Sequence, residues 1–293
     1  MEIGVSLPVF LSRSRSAPAD LPALARHAED IGLDAVWSGD HLSTGAPNVD
    51  STVTLSAAAA VTERIRIGFA VYLLALRHPA WAAKQLGSLQ LLSGNRLVLG
   101  VGVGGEWPQE WAAAGVPMNE RGRRTDAILD ALPGLLAGEP TALPTEPGAP
   151  VVTLAPAVPV PPLWVGGMSA RAKRRAVRVG ARGWLGSMLT PGELAGHLDM
   201  LAAIAAEVGA GVPSAGVIVF TGGEPFVRYM TRTYGMSPDR AAELVASGEA
   251  GPLAERLREY TDAGAGTFIV ATAGTDIRAE YDRVAEAKAA LTG

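Results

Sequence analysis

The chain has 293 residues, 48% of them hydrophobic and 18% charged, so it can bury a large core and does not read as a disordered polymer. Its 25 Lys and Arg against 29 Asp and Glu give a formal net charge of −4, which offers no general attraction for nucleic acid. The absence of cysteine removes disulfides, thiolate metal sites and a cysteine nucleophile.

Apolar stretches are interrupted by Gly, Arg or Ser well short of the ~20 residues of a membrane span. Met1-Glu2-Ile3-Gly4 enters a strand-like run with no basic segment or apolar signal core. The expectation is a cytoplasmic protein with neither membrane nor nucleic acid as partner. Length alone allows two domains or one large barrel.

Short β-type runs alternate with amphipathic stretches from end to end. Residues 3–8 read as a first strand and 21–31 as a helix, capped by Asp20 with Pro22 in its first turn. A second strand spans 35–38, a helix 52–62, a third strand 65–74 and a helix 78–92. The fourth strand, 97–103, is almost wholly apolar, as a strand covered on both faces should be. A helix over 121–136 leads into the proline-rich segment 138–162, either a domain linker or a long connection across one domain. Strands over 163–166, 183–187, 216–221 and 267–272 follow, with helices over 169–179, 191–208, 252–263 and 276–291. Residues 224–248 resist placement and leave room for an extra helix. Eight strands alternating with helices predict a single (β/α)₈ TIM barrel over residues 1–293, an α/β fold with short insertions. A doubly wound open sheet is the competitor, disfavoured because no strand is followed by a dinucleotide-type glycine fingerprint.

In a barrel, functional groups sit just past the C-terminal ends of strands. The second strand runs into Asp40-His41, a carboxylate beside an imidazole that can move a proton near neutral pH; the alternative is a loop histidine capping backbone groups. In the third strand, Gly68, Ala70 and Val71 either admit a flat ring or relieve crowding in the barrel core. The fourth strand leads into Gly104-Gly105-Glu106, where glycines let backbone approach a ligand and Glu106 is a candidate acid or a solvated loop carboxylate. After the fifth strand, Gly166-Gly167-Met168-Ser169 opens a helix whose free amides suit a phosphate, while Ser169 also suits an N-cap.

Arg171, Lys173, Arg174, Arg175 and Arg178 read mostly as a solvated face of that helix. His27 and His197 read as helix-surface residues, and His78 as a loop-positioning residue. No His-Glu-x-x-His or clustered ligand set indicates a metal, and no Gly-x-Ser-x-Gly elbow indicates a serine hydrolase. Trp107, Trp111 and Tyr72 are candidates for a substrate pocket as well as for core filling, and the loops 43–51 and 224–248 for its specificity.

The segments AEDIGLDAVWSGDH (28–41), TERIRIGFAVYLLALRHPAWAAKQLGSLQLLSGNRLVLGVGVG (62–104), ERGRRTDAIL (120–129) and PLWVGGMSARAKRRA (162–176), in this order, resemble the luciferase-like monooxygenase superfamily. The resemblance implies an oxidoreductase with a flavin or deazaflavin ring in the barrel mouth and the cofactor phosphate near the fifth strand. Asp40 and His41 match the polar pair that contacts the ring region in coenzyme F420-dependent members, where the histidine is implicated in proton transfer. Ala70-Val71 matches the position of a non-proline cis peptide in many relatives. Gly104, Gly105 and Glu106 match a rim where relatives place an acid, and Gly166, Gly167, Met168 and Ser169 match the phosphate segment. Members that use FMN often have Glu-His-His where this chain has Gly39-Asp40-His41, which favours F420 and hydride transfer to or from a small organic substrate. The alternatives are a reduced-FMN monooxygenase that uses O₂, or a barrel that has lost its chemistry and serves as a binding subunit. The resemblance also implies a homodimer.

Overall fold

The computed structural model describes residues 1–10, 19–274 and 276–292. Its main sheet is built from β1 (Glu2–Ser6), β2 (Ala35–Ser38), β3 (Arg66–Tyr72), β4 (Leu97–Val101), β5 (Leu163–Gly166), β6 (Gly183–Ser187), β7 (Ser214–Thr221) and β8 (Thr267–Ala271). Each pairs in parallel with the next, and β8 pairs with β1, so the sheet closes on itself. An open doubly wound sheet would leave two unpaired edges. The fold is the (β/α)₈ barrel that the alternation predicts.

The helices are α1 (Leu21–Asp30), α2 (Ser51–Val61), α3 (Pro79–Leu92), α4 (Pro108–Ala113), α5 (Arg121–Ala137), α6 (Ala170–Arg178), α7 (Pro191–Glu207), α8 (Glu224–Tyr234), α9 (Pro238–Leu244), α10 (Ala250–Asp262) and α11 (Ile277–Thr292). Local chemistry sets several ends. The Asp20 carboxylate accepts from the Ala23 amide at the start of α1, and Thr190 and Glu193 form a capping box at the start of α7. Among the described residues, no helix is long and apolar enough to cross a membrane.

Strand residues alternate between two cores. Val36, Ile67, Phe69, Leu97 and Leu99 face the helices in the larger cluster, while Ala35, Trp37, Val98, Trp164, Leu185 and Ile269 fill the barrel interior. Two tryptophans dominate that interior, and each lies opposite a glycine on the next strand: Trp37 pairs with Gly68, Trp164 with Gly183. A Cβ at Gly68 would lie 2.3 Å from the Trp37 ring, and one at Gly183 2.2 Å from the Trp164 ring. Of the two readings of Gly68, relief of crowding is therefore the one the packing bears out. Each buried indole removes roughly 150–250 Å² from water, which at ~25 cal/mol per Å² amounts to about 4–6 kcal/mol of transfer free energy.

Above this plug the third strand departs from regularity. The register between β3 and β4 shifts between Phe69 and Tyr72, and the Ala70–Val71 peptide is cis.

The segment after α5 is a connection packed on the barrel's outer helices. It folds a small hairpin, Thr141–Ala142 against Val151–Val152, and Val158 donates its amide to Leu136 at 2.8 Å. Gln90 Nε2 donates to the Pro159 carbonyl at 3.1 Å, and Lys84 donates to that of Ala155. The region 224–248 holds two helices, α8 and α9, where one extra helix is expected, and ends in Val245–Ala246, which adds a short parallel strand to β7. The six-residue α4 has no counterpart in the sequence reading.

Candidate active site

His41 stands just beyond β2, half-buried, with its ring facing Phe10 at 5.9 Å between centroids. Its Nδ1 lies 3.2 Å from both carboxylate oxygens of Glu110. An ionised carboxylate only accepts hydrogen bonds, so this contact assigns the proton of the neutral ring to Nδ1 and the free lone pair to Nε2. Nε2 has no hydrogen-bond partner among the described residues. Glu110 is fully buried, sits in the first turn of α4, and also accepts from the Leu42 amide at 3.1 Å. The loop is tied down further by Asn48, whose side-chain amide donates to the His41 carbonyl at 2.9 Å.

Asp40 faces the other way. Arg77 grips it with two nitrogens, at 2.6 and 2.8 Å, while Ser51 Oγ donates at 2.6 Å and the Leu73 amide at 2.9 Å. All of its acceptor capacity is thereby directed into the scaffold, and the carboxylate expected beside His41 is supplied by Glu110. Burial acts against the Arg77 charge, but the hydrogen bonds and charge of Asp40 outweigh it and raise the guanidinium's pKa. Arg77 lies over the Tyr72 ring at 4.1 Å, and burial pushes the Tyr72 phenol up to about 12.

Ala70 and Val71 are half-buried at the mouth. Val71 is seated between the ends of β4 and β5, where a Cβ at Gly102 would come within 2.3 Å of it and one at Gly166 within 2.7 Å. Only glycine at both positions leaves the Val71 side chain that place. Gly104 and Gly105 both take positive φ and turn the chain off β4; Arg121 Nε donates to the Gly104 carbonyl at 3.3 Å. Glu106 is exposed on this rim, and Trp107 is half-buried beside it. Trp111 and Tyr72 are fully buried core fillers.

After β5 the chain turns at Gly167, φ +122°, into α6. Ser169 Oγ accepts from the Ala172 amide at 3.2 Å, so the N-cap role is realised, and the first-turn amides of α6 open beside it. Two residues expected on helix surfaces are interior, one of them behind this loop. Lys173 is fully buried, and its Nζ lies 2.8 Å from the Met168 carbonyl and 2.8 Å from His197 Nδ1. His27 is also buried and joins α1 to α11 through Asp282 at 2.7 Å. His78 positions its loop as expected, 3.2 Å from Glu146. Among the described residues no His, Asp and Glu group together in a way that suits a metal ion.

The strand ends thus offer an apolar platform at Val71 on β3, an imidazole beyond the neighbouring β2, and a glycine turn with helix amides after β5, two strands on. These residues fit a flat aromatic ring that carries a phosphate.

The family model described as luciferase-like monooxygenase matches residues 1–228. The F420-dependent glucose-6-phosphate dehydrogenase of Beutenbergia cavernae is 36% identical over 180 residues, 58% of this chain and 53% of that one. The chain spans about half the length of the curated relatives it matches. An F420-dependent secondary alcohol dehydrogenase, solved in complex with an F420-acetone adduct, superposes with TM-score 0.83 over 99% of this chain and 98% of its own at 17% identity. A type II Baeyer-Villiger monooxygenase of Pseudomonas putida, solved with FMN, gives TM-score 0.73 over 98% and 96% at 19% identity. At these identities the superpositions show the fold, and the family match together with that fold leads to one conclusion: the chain belongs to the luciferase-like monooxygenase family.

Proposed function

We propose that this protein is an oxidoreductase that binds coenzyme F420 and transfers a hydride between the deazaflavin and a small organic substrate. The observation that carries the reading is the His41–Glu110 pair just beyond β2, which engages Nδ1 and leaves Nε2 without a hydrogen-bond partner among the described residues. The cofactor supplies the hydride chemistry; the barrel supplies position, proton handling and exclusion of water.

In this reading His41 Nε2 takes a proton from the substrate, or returns one, in step with hydride transfer. The buried Glu110 stabilises the imidazolium so formed and keeps the ring in one orientation. Asp40 braces the loop through Arg77, so its contribution to cofactor binding is to hold Gly39 and His41 in place. Ala70 and Val71 support the ring, with the backbone of Gly104 and Gly105 beside it. The amides of Met168 and Ser169 hold the phosphate, with Gly167 making the turn and Gly166 leaving room beneath for Val71. Glu106, on the exposed rim, acts as a second acid toward substrate.

The second reading is a reduced-FMN monooxygenase, favoured by the FMN-bound fold neighbour. Titration of the protein with F420 and with FMN, followed by quenching of cofactor fluorescence, separates the two. Binding of F420 alone supports hydride transfer; a preference for FMN, with oxygen uptake once it is reduced, overturns it.

A further inference from the structure

Among the basic residues of α6, Arg175 and Arg178 have counter-ions, Arg171 and Arg174 are exposed to solvent, and Lys173 alone is buried without one among the described residues. Arg175 pairs with Asp126 at 2.6 Å and Arg178 with Asp130 at 2.5 Å, both across to α5. Lys173 is fully buried on the other side, yet its hydrogen-bond partners are neutral acceptors, the Met168 carbonyl and His197 Nδ1. To accept from an ammonium, His197 must be neutral with its proton on Nε2. The face of Trp184 lies 4.7 Å from Nζ, and no carboxylate stands within ion-pair distance of Lys173 among the described residues. Glu193, the acid of α7 that acts on His197, is itself engaged by Arg240 at 2.7 Å. A buried cation with no counter-ion is unfavourable, and burial accordingly holds the Lys173 ammonium below its ordinary range.

The same residues fix the direction of two peptide planes. Trp184 Nε1 donates to the Gly167 carbonyl at 2.7 Å, and Lys173 Nζ to the Met168 carbonyl at 2.8 Å. In a trans peptide the carbonyl of one residue and the amide of the next point in opposite directions. Drawing the carbonyls of Gly167 and Met168 toward the core therefore turns the amides of Met168 and Ser169 outward. They join the free first-turn amides of α6, which makes a concave set of donors for an anion. His197 stacks on Trp184 at 5.9 Å and 19°, so α6, β6 and α7 support the turn as one unit.

We propose that Lys173 is the positioning residue of the phosphate turn, and that its uncompensated charge is the counter-charge for a phosphate ester bound outside Gly167–Ser169. The inference rests on the cofactor reading above and adds to it a residue that contacts the turn from inside the core. The charge is held ready at a cost to the empty protein and is neutralised only when the anion arrives.

The test compares wild type with Lys173→Met, which removes donor and charge, and Lys173→Gln, which keeps a donor and removes the charge. Affinities are measured for F420 against the same deazaflavin lacking its phosphate, and for FMN against riboflavin, by fluorescence quenching. Both variants should reduce the preference for the phosphorylated partner by at least about tenfold and leave the unphosphorylated one unchanged. An equal loss for both partners, or an unchanged preference in either variant, overturns the proposal. If wild type binds none of the four dyes, the cofactor reading falls by itself. Inorganic phosphate then decides on Lys173: it should raise the unfolding midpoint of wild type and of neither variant, and equal shifts in all three, or in none, overturn the counter-charge.

Discussion

Glu110 follows His41 by 69 residues, and both of its oxygens stand 3.2 Å from His41 Nδ1. The histidine at the end of β2 is therefore oriented from the far side of β4. Replacing His41 with Ala should slow turnover by about 10²–10⁴. Glu110→Gln preserves size and an acceptor but removes the charge that stabilises the imidazolium, and should slow turnover by about 10–100-fold with little change in cofactor affinity. Because both losses pass through one imidazole, the double variant should be no slower than His41→Ala alone. Multiplying losses would assign Glu110 a role apart from His41.

Much of this was readable from residue patterns, and the exceptions have physical reasons. The strands are legible because a parallel sheet covered on both faces writes near-continuous apolar runs, as at 97–101. The strand ends then locate Asp40, His41 and the Gly166–Ser169 turn. Glu110 is invisible by the same logic: α4 has six residues, too few to establish a period, and its partner is distant in sequence. Adjacency in sequence suggests Asp40 as the partner of His41, but neighbouring side chains at a strand end point in opposite directions. Lys173 is hidden for another reason. Among the alanines and arginines of α6 nothing marks one cation as buried, since only the positions of Trp184 and His197 make that side of the helix an interior.

The Asp40–Arg77 pair is a structural clamp, with Asp40 buried and its oxygens bonded to Arg77, Ser51 and the Leu73 amide. Removing one member leaves the other charge without compensation, so Arg77→Met should cost about 3–5 kcal/mol of stability in chemical denaturation. Glu224 pairs with Arg228 on the exposed face of α8 and supplies the control. Glu224→Ala should stay within about 0.5 kcal/mol of wild type. Similar costs for the two substitutions would refute the clamp.

Val71 occupies a space that exists only because residues 102 and 166 lack a Cβ. Gly166→Ala would bring a methyl to 2.7 Å from Val71, and β-branched side chains have little rotamer freedom with which to move away. The substitution should destabilise by about 1–3 kcal/mol and weaken cofactor binding. Val71→Ala in the same chain should restore most of the stability, since it removes the atoms that clash. The control is Gly251 in α10, where an added Cβ meets nothing within 4 Å. Gly251→Ala should be stabilising by about 0.5–1 kcal/mol, the ordinary helix-propensity gain. Absence of rescue by Val71→Ala would show that the cost at Gly166 arises elsewhere.

Stability should rise with pH across the neutral range through His197. Burial, then the Lys173 charge, lower its pKa below the ordinary value, with Glu193 acting weakly the other way. The unfolded chain takes up the proton at its usual value near 6.5, while the folded protein resists until a lower pH. The penalty on folding is complete below the folded pKa and is lifted as pH rises toward the unfolded one. Asp126 contributes in a different window. Burial raises its pKa, but Arg175 and Arg178 together outweigh that and lower it, so its stabilisation is present above the ordinary Asp value and is lost only in stronger acid. Between about pH 5.5 and 7.5 the His197 contribution is therefore separable. His197→Asn offers Lys173 an acceptor that does not titrate in this range. The stability difference between the variant and wild type should shift with pH over that interval, with the variant losing its relative advantage as pH rises. A difference that stays constant from pH 5.5 to 7.5 would mean that His197 does not titrate against Lys173.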